Sequence, residues 1–266
     1  MSKGNEKKAL PCAMTVAGSD SGGGAGIQAD LLSFAANGVF GCTAIAALTA
    51  QNPSEVSAVR ATDPQMLRAQ MDAICTYFKP SAAKTGMLFS AELIECAADF
   101  FAEHPEIPLV ADPVMISTSG AKLLDDGAAR ILAEKLLPLA AVATPNLDEG
   151  AALLGIGKIE NVIEAAQRLR DRLGTSVLLK GGHLAGDEIA DIFAAADGST
   201  TAIKSTRVQN VDTHGSGCTL AAAIAANLAK GVAPLEACRK AQGYILDCMK
   251  NALETAGGKF INHFPY

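Results

Sequence analysis

The chain has 266 residues, 49% hydrophobic and 19% charged, and its 22 basic and 28 acidic residues give a net charge of -6. Such a balance excludes the basic stripe that nucleic-acid binding favours, while the hydrophobic share suffices for a sizeable core. Seven cysteines, widely spaced and with no CxxC pair, argue against structural zinc and suit a reducing cytosol.

The opening residues MSKGNEKKALP are polar and carry no apolar signal region. MTVA (14–17) reads as a first buried strand, followed by the loop AGSDSGGGAG (17–26) and a helical pattern over 27–38. A second strand is expected at 42–48, ending in the loop TAQNP (49–53), and a helix at 64–78. KTGM (84–87) reads as a loop, and a helix is expected at 91–104. Strands follow at 108–112, leading into ADPVM, and at 140–144, leading into TPNLDE, with a helical pattern at 127–137 between them. Beyond a helix at 161–174, a strand at 176–180 ends in KGGH (180–183). The Asp-Gly turn between two apolar segments of 189–208 predicts a hairpin at the sheet edge. DTHGSGC (212–218) then opens a helix over 218–231, and another follows over 234–254. Gly38, Gly174 and Gly231 stand where helix stops are expected.

Strands alternating with helices predict an α/β fold with a mainly parallel sheet covered on both faces, built as one domain. In such sheets ligands bind beyond the carboxyl ends of the strands, so the loops named above form one candidate edge. Glycines before a helix start let bare backbone amides approach an anion, and Gly215, Ser216, Gly217 and Cys218 therefore read as a phosphate site. The same field is expected to lower the pKa of the Cys218 thiol. Neither the dinucleotide GxGxxG pattern nor GxxxxGK[ST] is satisfied. Asp30 could accept a hydrogen bond from a substrate hydroxyl, or it could simply be a helix-start acid. The Gln51 amide can donate and accept together, as reading a flat heterocycle requires. Asn146 and Glu149, three residues apart, could hold a hydrated Mg²⁺ or form a capping box. Asp112 could reach the same metal, and Lys180 a phosphate. His183 and His214 lack a carboxylate partner or metal spacing in the sequence and read as loop or structural residues.

Taken together, AGSDSGGGAGIQADL (17–31), GCTAIAALTAQN (41–52), KTGML (84–88), DPVM with a following SG (112–120), TPNLDE, KGGH and THGSGCT (213–219) resemble the ribokinase-like superfamily of small-molecule kinases. Within it the match is to the hydroxymethylpyrimidine/phosphomethylpyrimidine kinases of thiamine biosynthesis, in the family's order and over about residues 12–262. The resemblance implies a three-layer α/β/α fold, ATP as co-substrate with Mg²⁺, room for a monovalent cation, and a homodimer. It implies two successive phosphorylations of 4-amino-5-hydroxymethyl-2-methylpyrimidine at one site. By matching position, Asp30 would bond the hydroxymethyl group, Gln51 the aminopyrimidine edge, and Met87 would pack on the ring, with Gly18 and the backbone near Thr49 completing the pocket. Residues 215–218 would form the anion hole, with Cys218 as base. Asn146 and Glu149 match the superfamily's NxxE element near Mg²⁺, and Lys180 and Gly182 would lie on the nucleotide side. One departure is Thr118, where the family often has lysine; Lys122 is a candidate replacement. Pyridoxal kinase is the nearest rival reading, and a non-catalytic ligand sensor is another.

Overall fold

The computed structural model describes residues 9–115, 124, 126–181 and 188–266. The expectations for Thr118, Lys122, Gly182 and His183 lie outside the described residues.

Nine strands form one sheet in the order β3-β2-β1-β4-β5-β6-β7-β8-β9. Six run parallel: β1 (Cys12–Ser19), β2 (Phe40–Asn52), β4 (Ala82–Thr85), β5 (Leu109–Ala111), β6 (Val142–Ala143) and β7 (Ser176–Leu179). Antiparallel β3 (Glu55–Ala61) closes one edge, and the expected hairpin, β8 (Glu188–Ala194) with β9 (Thr200–Thr206), closes the other. The chain leaves β1 for β2 on one side and returns to β4 on the other. The carboxyl end of β1 is therefore a switch point, where outgoing loops part and leave a crevice.

Alternation along the strands fills two layers. Cys12, Met14 and Val16 of β1 face one core, and Ala13 faces the other. The first core is covered by α2 (Pro64–Phe78), α3 (Ala91–Glu103), α4 (Asp126–Ile131) with the helical turns that extend it to Leu139, α5 (Leu147–Leu154) and α6 (Val162–Leu173). The second is covered by α1 (Gly26–Ala36), α7 (Ser216–Ala229) and α8 (Pro234–Lys250). Every residue of α7 from Thr219 to Ala229 is buried. Five of its alanines, Ala221, Ala222, Ala223, Ala225 and Ala226, are fully enclosed, as expected of a helix apolar on all sides.

The structure differs from the sequence expectations in three places. Strand β2 runs on to Asn52 and pairs with β3, so Gln51 lies on a strand rather than in a loop. The residues of β3 are half-buried or exposed, which leaves no apolar run to mark it. The four-residue β4 begins two positions before KTGM, and α8 ends at Lys250, ahead of a small hairpin of β10 (Leu253–Thr255) and β11 (Gly258–Phe260).

The chain end packs back on α7. His263 Nε2 lies 3.0 Å from Thr219 Oγ1, and the His263 carbonyl accepts from the Tyr244 hydroxyl at 2.8 Å. Burial pushes the His263 ring down to about 4, from an ordinary 6.5. Below the unfolded value the unfolded chain takes up a proton that the native ring refuses until near 4. Stability thus falls as pH drops through that window and is level outside it, by about 3 kcal/mol in all. His263→Asn is expected to remove this part of the acid slope, read from urea midpoints at pH values across the window.

Candidate active site

The parallel strands deliver their loops to one cavity of about 560 Å³. Of the site residues expected from the sequence that the structure describes, all but Asp30 line it: Gly18, Thr49, Gln51, Met87, Asp112, Asn146, Glu149, Lys180 and the 215–218 turn are all at its wall.

On the β1 side, the Gly18 amide donates to the Met87 carbonyl at 3.0 Å, and a Cβ on Gly18 would collide with the end of the Met87 side chain. The Thr49 hydroxyl donates to the Ser19 carbonyl at 2.9 Å and lies 3.2 Å from Gln51 Oε1. This wall combines an apolar thioether with an amide, which suits a flat heterocycle.

Across the cavity stands the start of α7. Gly215 caps it at φ 78°, in the left-handed region, with the Gly24 carbonyl pressed where a side chain would be. The Ser216 amide is taken by the Thr213 carbonyl at 3.0 Å. The amides of Gly217 and Cys218 bond to no acceptor among the described residues. A Cβ on Gly217 would sit 3.4 Å from Lys180 Nζ and 3.6 Å from Asp112 Oδ2, so an ammonium and a carboxylate lie directly against this first turn. Lys180 Nζ donates to Asp112 Oδ1 at 2.9 Å, and Thr144 Oγ1 donates to the same oxygen at 2.9 Å. Burial would lower the Lys180 pKa, but Asp112 and Glu149 outweigh it and hold the ammonium above its ordinary value. Two open amides, a helix N-terminus and a fixed cation together form an arrangement chemically suited to an anion.

Asn146 and Glu149 bear out the capping-box reading of their spacing. They form a capping box on α5, with the Glu149 amide donating to Asn146 Oδ1 and the Asn146 amide to Glu149 Oε2, each at 2.8 Å, and both still face the cavity. Burial, with Asp112 adding repulsion and Lys180 opposing, raises the Glu149 carboxyl to about 7. No group of three or more His, Cys, Asp or Glu with metal-holding geometry occurs among the described residues. A divalent ion here would rest on Asp112 and Glu149, completed by phosphate oxygens and water, which is the donor set Mg²⁺ favours.

Three expectations need correction. Asp30 does not reach the cavity: it is fully buried, Lys84 Nζ donates to both its oxygens at 2.9 Å, and Thr15 Oγ1 donates to Oδ2 at 2.6 Å. Its acceptors are used inside the protein, so it cannot bond a substrate hydroxyl. Second, the Cys218 thiol is raised, not lowered: burial pushes it up, and Asp30 and Asp112 add to that, against Lys84 and the Gly26 amide. Iodoacetamide at pH 7 is therefore expected to label Cys218 more slowly than a free thiol, with the rate climbing above pH 9; a fast, pH-independent reaction would contradict the raised pKa. Third, His214 does have a carboxylate partner: its Nε2 lies 3.0 Å from Asp20 Oδ2, across 194 residues of sequence.

Asp20 and Lys84 escaped the sequence reading because their partners are remote. Asp20 gathers the glycine-rich loop, with Oδ1 accepting from the Gly22 amide and Oδ2 from the Ala25 amide, both at 2.8 Å. Burial would raise its carboxyl, but His214 and these amides outweigh it and hold it below the usual range. The Asp-x-Gly spacing of 20–22 was the local signal available.

Residues 20–263 match the family model described as phosphomethylpyrimidine kinase. The chain is 42% identical to the hydroxymethylpyrimidine/phosphomethylpyrimidine kinase of Haemophilus influenzae, over 95% of this chain and 96% of the relative. The ADP complex of Bacillus subtilis pyridoxal kinase superposes with a TM-score of 0.87 at 35% identity, covering 96% of this chain and 98% of the other. Phosphomethylpyrimidine kinase from Clostridium difficile 630 superposes with a TM-score of 0.79 at 38% identity, covering 90% and 99%. With its three-layer fold and a cavity at the switch-point crevice, the chain belongs to the phosphomethylpyrimidine kinase family of phosphotransferases.

Proposed function

We propose that the cavity transfers the γ-phosphoryl group of ATP to the hydroxymethyl oxygen of 4-amino-5-hydroxymethyl-2-methylpyrimidine, and then a second group to the resulting monophosphate, in thiamine biosynthesis. The observation that carries this reading is the pair of open amides at Gly217 and Cys218, set against Lys180 and Asp112 and sharing one cavity with Gly18, Met87 and Gln51. The ring lies on the Met87 and Gln51 wall, and the hydroxymethyl group points at the start of α7. Its oxygen bonds to the γ-phosphorus as the bridging oxygen leaves with ADP, and the hydroxyl proton departs on the transferred phosphate. The charge on the moving phosphoryl oxygens is met by the α7 amides and by the Lys180 ammonium. Mg²⁺, held by Asp112 and Glu149, would neutralise the nucleotide phosphates when bound.

A thiol raised by burial is a weak base at neutral pH. The amides therefore supply most of the rate, as a loose transition state allows. The edge strand β3, solvent-facing along its length, supports pairing with a second copy of the chain. The cysteines are all free thiols, which supports a reducing, cytoplasmic setting.

The likeness to Bacillus subtilis pyridoxal kinase makes pyridoxal the one competing acceptor worth testing. ADP release from Mg-ATP, measured with each acceptor in turn, is expected to be faster with the pyrimidine. Turnover on pyridoxal alone would reverse the assignment.

A further inference from the structure

The residue just ahead of the anion turn is not used by the reaction as described. His214 is 8% exposed and Asp20 2%, and the 3.0 Å contact between them joins the loop before α7 to the loop after β1. The Gly24 carbonyl lies against Gly215, and a Cβ on Gly24 would come within 2.9 Å of the His214 ring. The main chain of His214 is itself fixed, its amide donating to Asp212 Oδ1 at 2.8 Å. Gln51 Nε2 stands 3.5 Å from the same imidazole nitrogen, so the amide wall meets the other two at one ring.

Packing alone does not account for an imidazole here. Its Nδ1 is the one buried side-chain polar atom among the described residues with no partner in the protein. An apolar ring would fill the space without burying an unpaired nitrogen, a cost of about 1–3 kcal/mol. What the imidazole adds is a hydrogen bond from Nε2 to Asp20, and Asp20 in turn holds the Gly22 and Ala25 amides.

We propose that His214, held by Asp20, is a positioning residue for phosphoryl transfer: by locking the 212–218 turn onto the glycine-rich loop, it sets the Gly217 and Cys218 amides in register with the acceptor hydroxyl. This rests on the phosphotransfer reading above. It assigns to two cavity-wall residues, to which the reaction above gives no bond-making part, control over the distance between the two half-sites. Because a misplacement of about 1 Å costs roughly 10²-fold in rate, the effect falls on turnover rather than on binding.

The test is steady-state ADP release with Mg-ATP and the pyrimidine for wild type, His214→Leu, His214→Gln, Asp20→Ala and the Asp20→Ala/His214→Leu double variant, each checked for folding by circular dichroism. His214→Leu is expected to lower kcat by roughly 10²-fold, with KM for both substrates little changed. His214→Gln, whose amide can still donate to Asp20, restores most of the loss. The double variant is no worse than either single one, because both remove the same link. Additive losses, a loss confined to KM, or a glutamine no better than leucine would overturn the proposal. If His214→Leu does not fold, His214→Asn, too short to reach Asp20, takes its place against His214→Gln. Absence of ADP release by the wild type marks a failure of the functional reading itself; an active wild type with additive variants marks a failure of this proposal alone.

Discussion

Lys84→Met is expected to cost about 3–5 kcal/mol of folding stability, the range for breaking one partner out of a buried ion pair. Both members of the pair are fully enclosed, with side-chain exposures of 0% for Lys84 and Asp30. Burial works against the Lys84 charge, but Asp30, Cys218 and Asp112 together hold the ammonium above its ordinary pKa. Burial likewise pushes the Asp30 carboxyl upward, while Lys84 and Thr15 pull it back. The pair is ionic because Asp30 receives donors at both oxygens from Lys84 and a third from Thr15, which leaves no acceptor for a carboxyl proton. Removing the ammonium strands that carboxylate in a place water does not reach. Restoring balance should restore stability: Thr15→Val/Asp30→Leu/Lys84→Met is expected to regain most of the loss, since well-packed apolar replacements of buried ion pairs are often neutral or better. Urea unfolding of the single and triple variants measures both numbers. A single variant within about 1 kcal/mol of wild type would show that water relaxes the site.

The second large effect is on turnover. Lys180→Met is expected to lower kcat by roughly 10²–10³, equivalent to about 3–4 kcal/mol, the usual consequence of losing one preorganised donor to a developing charge. The ammonium is fixed by Asp112 at 2.9 Å and lies against Gly217, so it needs no rearrangement to meet the phosphoryl group. Lys180→Arg should recover little, because a planar, delocalised fork does not place its charge where the compact ammonium sits. ADP release and the thermal midpoint are to be read together, since Asp112 loses its counter-ion in the methionine variant. A fall in midpoint with unchanged kcat would assign Lys180 to folding instead.

Much of this site was legible in the sequence because loop composition and strand order carry it. Gly18, Gln51, Met87, Lys180 and residues 215–218 are separated by up to 200 positions, yet the rule that ligands sit beyond the strand ends brings them to one edge. What the sequence hid is side-chain pairing across layers. Nothing near Asp30 in the chain announces Lys84, 54 residues on, and nothing near His214 announces Asp20. The misjudged acidity of Cys218 has the same origin. A helix N-terminus can be read locally, but the burial and the carboxylates of Asp30 and Asp112 that outweigh it cannot. Strand β3 was missed because neither of its faces is buried, and alternation vanishes without a buried face.

The seating of α7 carries a further consequence. A helix enclosed on every side from Thr219 to Ala229 has no free surface along which to slide or tilt. Its leading amides are therefore expected to hold their place when a ligand enters the cavity. Hydrogen exchange would register this as a sharp step: rapid at Gly217 and Cys218, where no acceptor protects the amide, and slow immediately after, on the scale of global unfolding.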